Sequence, residues 1–280
     1  MPERPVMFTP GIYPDLSNEV YHQQKDALSS SGARLLLSKS PLHFKVRQEK
    51  SETNEAFEIG TLTHSLVLEN DESGAEVLDF ADWRTKAAKE AAAAARAAGK
   101  IPVLPKQWDE IRAMRDAVWA NEDAALLLSG GKAEQSVFWQ HETGAMLRCR
   151  PDYYVPDSPI GPICIDLKTS VSADPRKFDS SASDYGYFQQ QAWYEDGIEA
   201  LTGTRPTFAF IVVEKGDVPA VSLPELDSED VDLARAHNQR AIDLWNKCRA
   251  ADEWPGYAPV PPVRMKPWTR TNIERELENV

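Results

Sequence analysis

The run Ile163-Cys164-Ile165-Asp166-Leu167-Lys168-Thr169 constrains this chain more than any other stretch. Its opening residues are mostly apolar and too few for a helix, the pattern of a strand buried on both faces. Asp166 interrupts that pattern and Lys168 follows two residues on, so a strand carries both on one face. Buried charges persist only when paired or bound to a metal. Upstream, Arg148-Cys149-Arg150-Pro151-Asp152 delivers a second acid at another expected strand end. The two stretches together make a candidate metal site with a built-in cation; the competing reading is an ordinary strand-end salt bridge.

A chain of 280 residues, 42% of them hydrophobic, can bury a sizeable core, and a single domain over 1–280 is expected. Within it the sequence divides into lead-in helices over 1–56, a core over 57–250 with a basic helical insertion at about 84–106, and a Pro-rich tail over 251–280. No apolar run approaches the roughly 18 residues of a membrane span, and residues 1–5 lack a signal-peptide core. A cytoplasmic protein without a membrane partner is therefore expected. Cys149, Cys164 and Cys248 lack the spacing of a zinc or iron–sulfur site and read as reduced, buried thiols.

The net charge of −13 argues against indiscriminate coating of nucleic acid, but the charges are segregated. Eight basic residues between Arg84 and Arg115 face only Glu90, Asp109 and Glu110, whereas Asp217 to Asp232 holds six acids and no base. An acidic exterior with one basic lining would admit DNA at a single surface.

Along the chain, Gly11 to Ser17 reads as an irregular lead-in, Ser17 to His22 as a short capped helical turn, and Ala33 to Leu37 as a helix capped by Ser29 to Ser31 and ended before Ser40-Pro41. Hydroxyls and free amides at such a helix start can also hold a phosphate. Phe57 to Leu68 has a helical stripe and carries His64. Lys86 to Ala98 is alanine-rich with almost no large apolar side chain, so it is expected to anchor poorly, as a mobile solvated helix or as a basic arm near a polyanion. Trp108, Ile111, Met114, Val118 and Trp119 mark an amphipathic helix. Strands are expected at Glu134–Trp139, Ala145–Arg150, Asp152–Val155, Ile163–Leu167 and Thr207–Val213, and helices at Tyr187–Ala200 and Leu233–Trp245. The tail from Trp254, with five prolines before Trp268, reads as an extended wrap or interface arm.

These elements gather Glu134, Asp152, Asp166 and Lys168. Carboxylate oxygens suit Mg²⁺ or Mn²⁺, and a lysine beside them can orient or deprotonate a water and stabilise charge on a phosphate. That is equipment for phosphodiester hydrolysis.

In order and spacing, Gly60-x-x-x-His64, Glu134, Arg150-Pro151-Asp152, Ile165-Asp166-Leu167-Lys168-Thr169 and Gln190-x-x-x-Tyr194 resemble the motifs of nucleases with the PD-(D/E)XK core. The likeness is to RecE-type exonucleases (exodeoxyribonuclease VIII), and more distantly to lambda exonuclease and the RecB nuclease domain. It runs from about Tyr13 to Val213 and includes the segment Leu28-Ser29-Ser30-Ser31 to Phe44. The resemblance implies an α/β fold with a mixed central sheet flanked by helices. It implies His64, Asp152, Asp166 and the Leu167 carbonyl as metal ligands, Lys168 as the catalytic lysine, and Glu134 as an acid supporting a second metal or the attacking water. Gln190 and Tyr194 would position the lysine and the scissile phosphate. Lambda exonuclease carries Glu where this chain has Asp166 and lacks the histidine, so metal geometry is expected to follow the RecE branch.

Arg150, Ser31 and Arg34 fall where such exonucleases bind a terminal 5′-phosphate, and a guanidinium beside a serine-capped helix start suits a dianion. Pairing of Arg150 with a neighbouring acid is the alternative. The implied activity is Mg²⁺-dependent (Mn²⁺ substituting), processive 5′-to-3′ digestion of one strand of linear duplex DNA, leaving 3′ single strands for recombination by annealing. The implied partners are duplex DNA ends, a single-strand annealing protein, and further copies of the chain in a toroidal trimer or tetramer. Two other readings stay open: an endonuclease or RecB-like helicase-coupled nuclease of the same core, and a DNA-binding module without activity.

Overall fold

The computed structural model describes residues 8–49, 55–259 and 262–278. In chain order the first elements are β1 (Gly11–Tyr13), α1 (Asn18–Gln23), β2 (Leu28–Ser29), α2 (Ser30–Ser38), α3 (Pro41–Glu49) and α4 (Glu55–His64), which runs into a π-helical turn over Ser65–Glu69. Next come β3 (Ala75–Val77), α5 (Lys86–Ala97), β4 (Ile101–Val103), α6 (Pro105–Ala120), α7 (Glu122–Leu127), β5 (Lys132–Ala133), β6 (Ser136–Gln140), β7 (Met146–Cys149), β8 (Tyr153–Val155) and β9 (Ile163–Ser170). The chain continues through α8 (Phe178–Tyr185), α9 (Tyr187–Thr202), β10 (Thr207–Glu214), β11 (Val221–Ser222), α10 (Ser228–Ala251) and α11 (Pro267–Glu278).

The fold is mixed α/β, and its strands form more than the one central sheet expected. A five-stranded sheet has the order β11-β10-β9-β8-β5, a four-stranded sheet the order β1-β6-β7-β2, and β3 pairs with β4. In the larger sheet β9 lies parallel to β10 and antiparallel to β8, which makes it mixed. Strand β9 shows why the site forms where it does. Ile163, Ile165 and Leu167 pack with Ile211 and Val213 against Leu62, Leu66, Trp108, Ile111, Met114 and Val118, a core between the sheet and helices α4 and α6. Cys164, of the opposite parity, enters a second core with Leu28, Ala33, Leu36, Trp139, Trp193 and Trp245, beneath α2, α9 and α10. Asp166 and Lys168 share the parity of Cys164, so they emerge toward α2 and α9.

Several local expectations are corrected. The lead-in Gly11–Tyr13 is a strand, because it adds antiparallel to β6. Helix α2 does end before Ser40-Pro41, at Ser38, and Pro41 then opens a further helix, α3, as the first helical position tolerates a residue without an N–H. The Pro-rich tail is not extended throughout: beyond its prolines it forms α11, a helix with no buried residue. The short helices α7 and α8 and the pair β3/β4 add to the elements expected.

Helix α5 is docked, because Ala88, Ala92 and Ala95 form a buried stripe and small side chains let its backbone approach β4 closely. Its basic residues are partly neutralised: Arg96 pairs with Glu58 at 2.7 Å, Lys86 with Glu90 at 3.6 Å, and Lys100 beyond the helix with Glu76 at 2.9 Å. On α6, Trp119 leaves the buried stripe at 46% exposure, yet its indole N–H donates to Val67 O at 3.0 Å. All three cysteines are buried free thiols. Among the described residues no helix is long and apolar enough to cross a membrane.

Candidate metal centre and anion pocket

One cleft of about 780 Å³ lies where the N-terminus of α2, the C-terminus of α4, the end of β7, strand β9 and helix α9 converge. Its two ends have opposite charge. At the acidic end, Nδ1 of His64 lies 3.6 Å from Oδ2 of Asp152, and the ligand atoms of His64, Glu134 and Asp152 all fall within 4.8 Å of one another. His64 sits where α4 passes into the π-helical turn, a local widening of the helix often found at functional positions. Asp152 precedes β8 and accepts the backbone N–H of Leu167 at 2.7 Å, which ties it across to β9. Glu134 lies between β5 and β6 at φ 53°, in the left-handed region, where a side chain costs about 1–2 kcal/mol. Its N–H donates to Asp152 O at 3.0 Å and fixes that backbone beside the second acid.

Burial first, and the Asp166 charge second, hold the Asp152 carboxyl well above the usual range. Glu134 is pushed up to about 7 by burial and by Asp152, against the opposing pull of Arg150 and His64. Burial also lowers the His64 pKa, which favours the neutral imidazole that a metal needs. The acidic end thus carries more carboxylate charge than its own residues compensate. Oxygen ligands with one imidazole fit a divalent cation.

Asp166, 1% exposed, is engaged differently. It pairs with the Lys168 ammonium and accepts a hydrogen bond from Nε2 of Gln190. Lys168 in turn donates to Oε1 of Gln190 at 3.2 Å and lies 4.7 Å from the Tyr187 ring centroid. Burial opposes the lysine charge, but Asp166 and Asp152 outweigh it and raise its pKa, so Lys168 stands as an ammonium. Tyr194, one turn beyond Gln190 on α9, lines the same cleft.

The other end is cationic. Arg150 and Arg148 flank Tyr21, their guanidinium carbons 5.5 and 4.5 Å from its ring centroid. Arg148 also donates to Tyr21 O. Arg150 Nε lies 2.7 Å from Oε2 of Glu134 but off the N–H axis, so Nε and Nη1 of Arg150 complete no hydrogen bond. Arg148 Nε and Ser30 Oγ are likewise buried without a partner. Ser29 caps α2 by accepting from Gly32 N at 3.2 Å, and its hydroxyl meets that of the exposed Ser31 at 3.2 Å. Unmet buried donors around a helix start make a pocket for an anion.

The residues singled out in the sequence fall into three groups here. His64, Asp152 and Glu134 come together as one set of candidate ligands, with Leu167 in the wall. Asp166 joins Lys168 and Gln190 instead of that set, because the ammonium compensates its charge directly. Arg150, Ser31 and Arg34 line the cleft, and Nη1 of Arg34 donates to Gly186 O at 3.0 Å. Gly186 has φ 68°, and a Cβ there would lie 2.5 Å from Arg34 Cδ, so a side chain at this position would be strained and would displace Arg34. Sequence reasoning missed roles for Arg148, Ser30 and Tyr21. Arg148 was findable, since alternate residues of one strand share a face with Arg150; Tyr21 carried no such signal.

No curated protein matches the chain in sequence. Among solved structures, a protein of Eubacterium rectale described as a "Putative exonuclease" is 14% identical, covers 89% of this chain and 96% of its own, and superposes with a TM-score of 0.60. That likeness establishes a shared fold. A second, SSO0001, is also 14% identical over 68% of this chain and 85% of its own, with a TM-score of 0.29 that carries no argument. Residues 30–259 match the family described as "PDDEXK-like domain of unknown function (DUF3799)", a span that takes in the cleft residues from Ser30 to Tyr194 but not Asn18, Tyr21, His22 and Ser29, and the chain belongs to that family.

Proposed function

We propose that this chain is a divalent-metal-dependent exonuclease that digests one strand of linear duplex DNA from its 5′-phosphorylated end and leaves a 3′ single strand. The observation that carries the reading is the single cleft with a carboxylate–imidazole cluster at one end and buried, unpartnered guanidinium and hydroxyl donors at the other. The family and the fold shared with the Eubacterium rectale protein support it.

His64, Asp152 and Glu134 would hold Mg²⁺ or Mn²⁺, with Asp166 close enough to influence their charge. When bound, such an ion lowers the pKa of water and neutralises phosphate charge. The chain's own residues supply the rest. The Lys168 ammonium, steered by Asp166, Gln190 and the Tyr187 face, donates to a phosphate oxygen as charge develops there. Arg150, Arg148 and Ser30 receive the terminal phosphate and set which bond lies over Lys168. The same reading makes the chain one subunit of a ring of three or four around DNA, working with a single-strand annealing protein. Trp268 at 64% and Leu277 at 72% exposure on α11 offer apolar surface for such an assembly.

The test is digestion in Mg²⁺ of linear duplexes with and without a 5′-phosphate, beside covalently closed circles, with Asp166→Ala as control. Loss of 5′ nucleotides from phosphorylated linear DNA, intact circles and an inactive variant are expected. Cleaved circles would overturn the exonuclease reading in favour of an endonuclease, and an equally active Asp166→Ala would overturn the site.

A further inference from the structure

We infer that Glu134 couples the two ends of the cleft: its carboxylate is shared between Arg150 and the His64–Asp152 cluster while the anion pocket is empty and is given over to the cluster when a terminal phosphate takes Arg150, so that the phosphate tightens metal binding. The inference rests on the end-recognition reading proposed above. Glu134 is the one described residue that belongs both to the candidate ligand cluster and to an ion pair with the anion pocket.

Its backbone leaves little choice of position. The left-handed φ of 53° and the N–H bond to Asp152 O at 3.0 Å fix its Cα beside the cluster. The freedom that remains is in the side chain, which now lies with Oε2 2.7 Å from Arg150 Nε. That pairing is poorly aligned and leaves Nε and Nη1 of Arg150 without a completed hydrogen bond. A phosphate offers several acceptor oxygens and is the better partner for a guanidinium fork.

Two electrostatic consequences have the same sign. A phosphate on Arg150 withdraws the cation that competes with the cluster for the Glu134 carboxylate. It also places negative charge beside Glu134, a repulsion that a divalent cation relieves. Arg150 has a second support in the Tyr21 ring, 5.5 Å from its guanidinium carbon, so it need not follow the carboxylate. By linkage the metal must tighten phosphate binding by the same factor. An enzyme so built assembles its metal centre at a true 5′ end and leaves it weak elsewhere.

The experiment uses the full chain with Lys168→Ala, which stops turnover and leaves the candidate ligands in place. The Mn²⁺ dissociation constant is read from the electron paramagnetic resonance signal of free Mn²⁺, with a 5′-phosphorylated or a 5′-hydroxyl duplex bound. A constant about fivefold or more lower with the phosphorylated duplex is expected. Adding Glu134→Gln should abolish the difference while the phosphorylated duplex still binds more tightly than the hydroxyl one. Arg150→Ala in the same background, without DNA, should bind Mn²⁺ more tightly than its parent because Glu134 is released. Equal Mn²⁺ constants despite tighter binding of the phosphorylated duplex would overturn the coupling alone, as would a difference that survives Glu134→Gln. No preference for the phosphorylated duplex would overturn end recognition and the coupling with it.

Discussion

The two ends of the cleft are built alike and left in opposite states. At the acidic end Asp166 has its ammonium and its amide, and Asp152 has the Leu167 N–H, yet Asp152 and Glu134 are still held well above ordinary carboxylate pKa values. At the cationic end Arg148 and Arg150 rest on one tyrosine ring, Arg150 Nε has only its ion pair with Glu134, and Arg148 Nε, Arg150 Nη1 and Ser30 Oγ are buried without a partner. One end is therefore short of a cation and the other short of an anion. Buried groups in both conditions lower stability until the missing charge arrives, and a phosphate ester with its counter-ion supplies both charges at once. On the proposed reading, a substrate that presents a terminal phosphate is the one that completes both ends.

The largest effect should come from breaking the acidic end. Lys168→Ala is expected to lower kcat on linear duplex by about 10²–10⁴-fold, while the affinity for a 5′-phosphorylated end, set at the other side of the cleft, changes little. Release of acid-soluble nucleotides and a binding isotherm on the same preparation separate the two. Supplying the missing cation comes next. Mg²⁺ at roughly one hundred times its dissociation constant should stabilise the fold by about 2.7 kcal/mol. For a domain of this size that is a rise in Tm of roughly 5 °C, reversed by chelator and diminished in Asp152→Asn.

At the cationic end, Arg150→Ala removes charge-assisted bonds worth about 1.5–3 kcal/mol. Binding of the 5′-phosphorylated duplex should weaken about tenfold or more, and that of the 5′-hydroxyl duplex hardly at all; an equal loss on both would show that Arg150 serves DNA in general. The smallest effect should follow charge reversal of Lys86 and Lys89 on α5, outside both ends. Lys86 is already paired with Glu90, and exposed pairs contribute at most about 1 kcal/mol. Initial rates within about twofold of the parent are expected; a large loss would extend the cationic surface from the cleft to α5.

Much of the fold was readable because it follows from periodicity. The two-residue alternation of Ile163, Ile165 and Leu167 against Cys164, Asp166 and Lys168 states which side chains enter the core beneath α6 and which turn toward α9. The stripe Trp108, Ile111, Met114 and Val118 states helix α6, and the serines before Gly32 state the cap of α2. The misreadings came where large apolar side chains are not the guide. Helix α5 is anchored by methyl groups, β1 exists because β6 has a free edge to pair with, and α11 forms beyond the prolines although it buries nothing.

By itself the sequence determined the chemical inventory and its local phase: which acids and bases lie on strands, which face each takes, and which serines start a helix. These depend on bonds and spacings within a few residues. Only the tertiary structure decided the pairings. It set Glu134 between Arg150 and the His64–Asp152 cluster, gave Asp166 to Lys168 and Gln190, tied Arg34 to Gly186, and left Arg148 and Ser30 unmet. Charge compensation and desolvation depend on distances between segments far apart in the chain, and no local pattern specifies them.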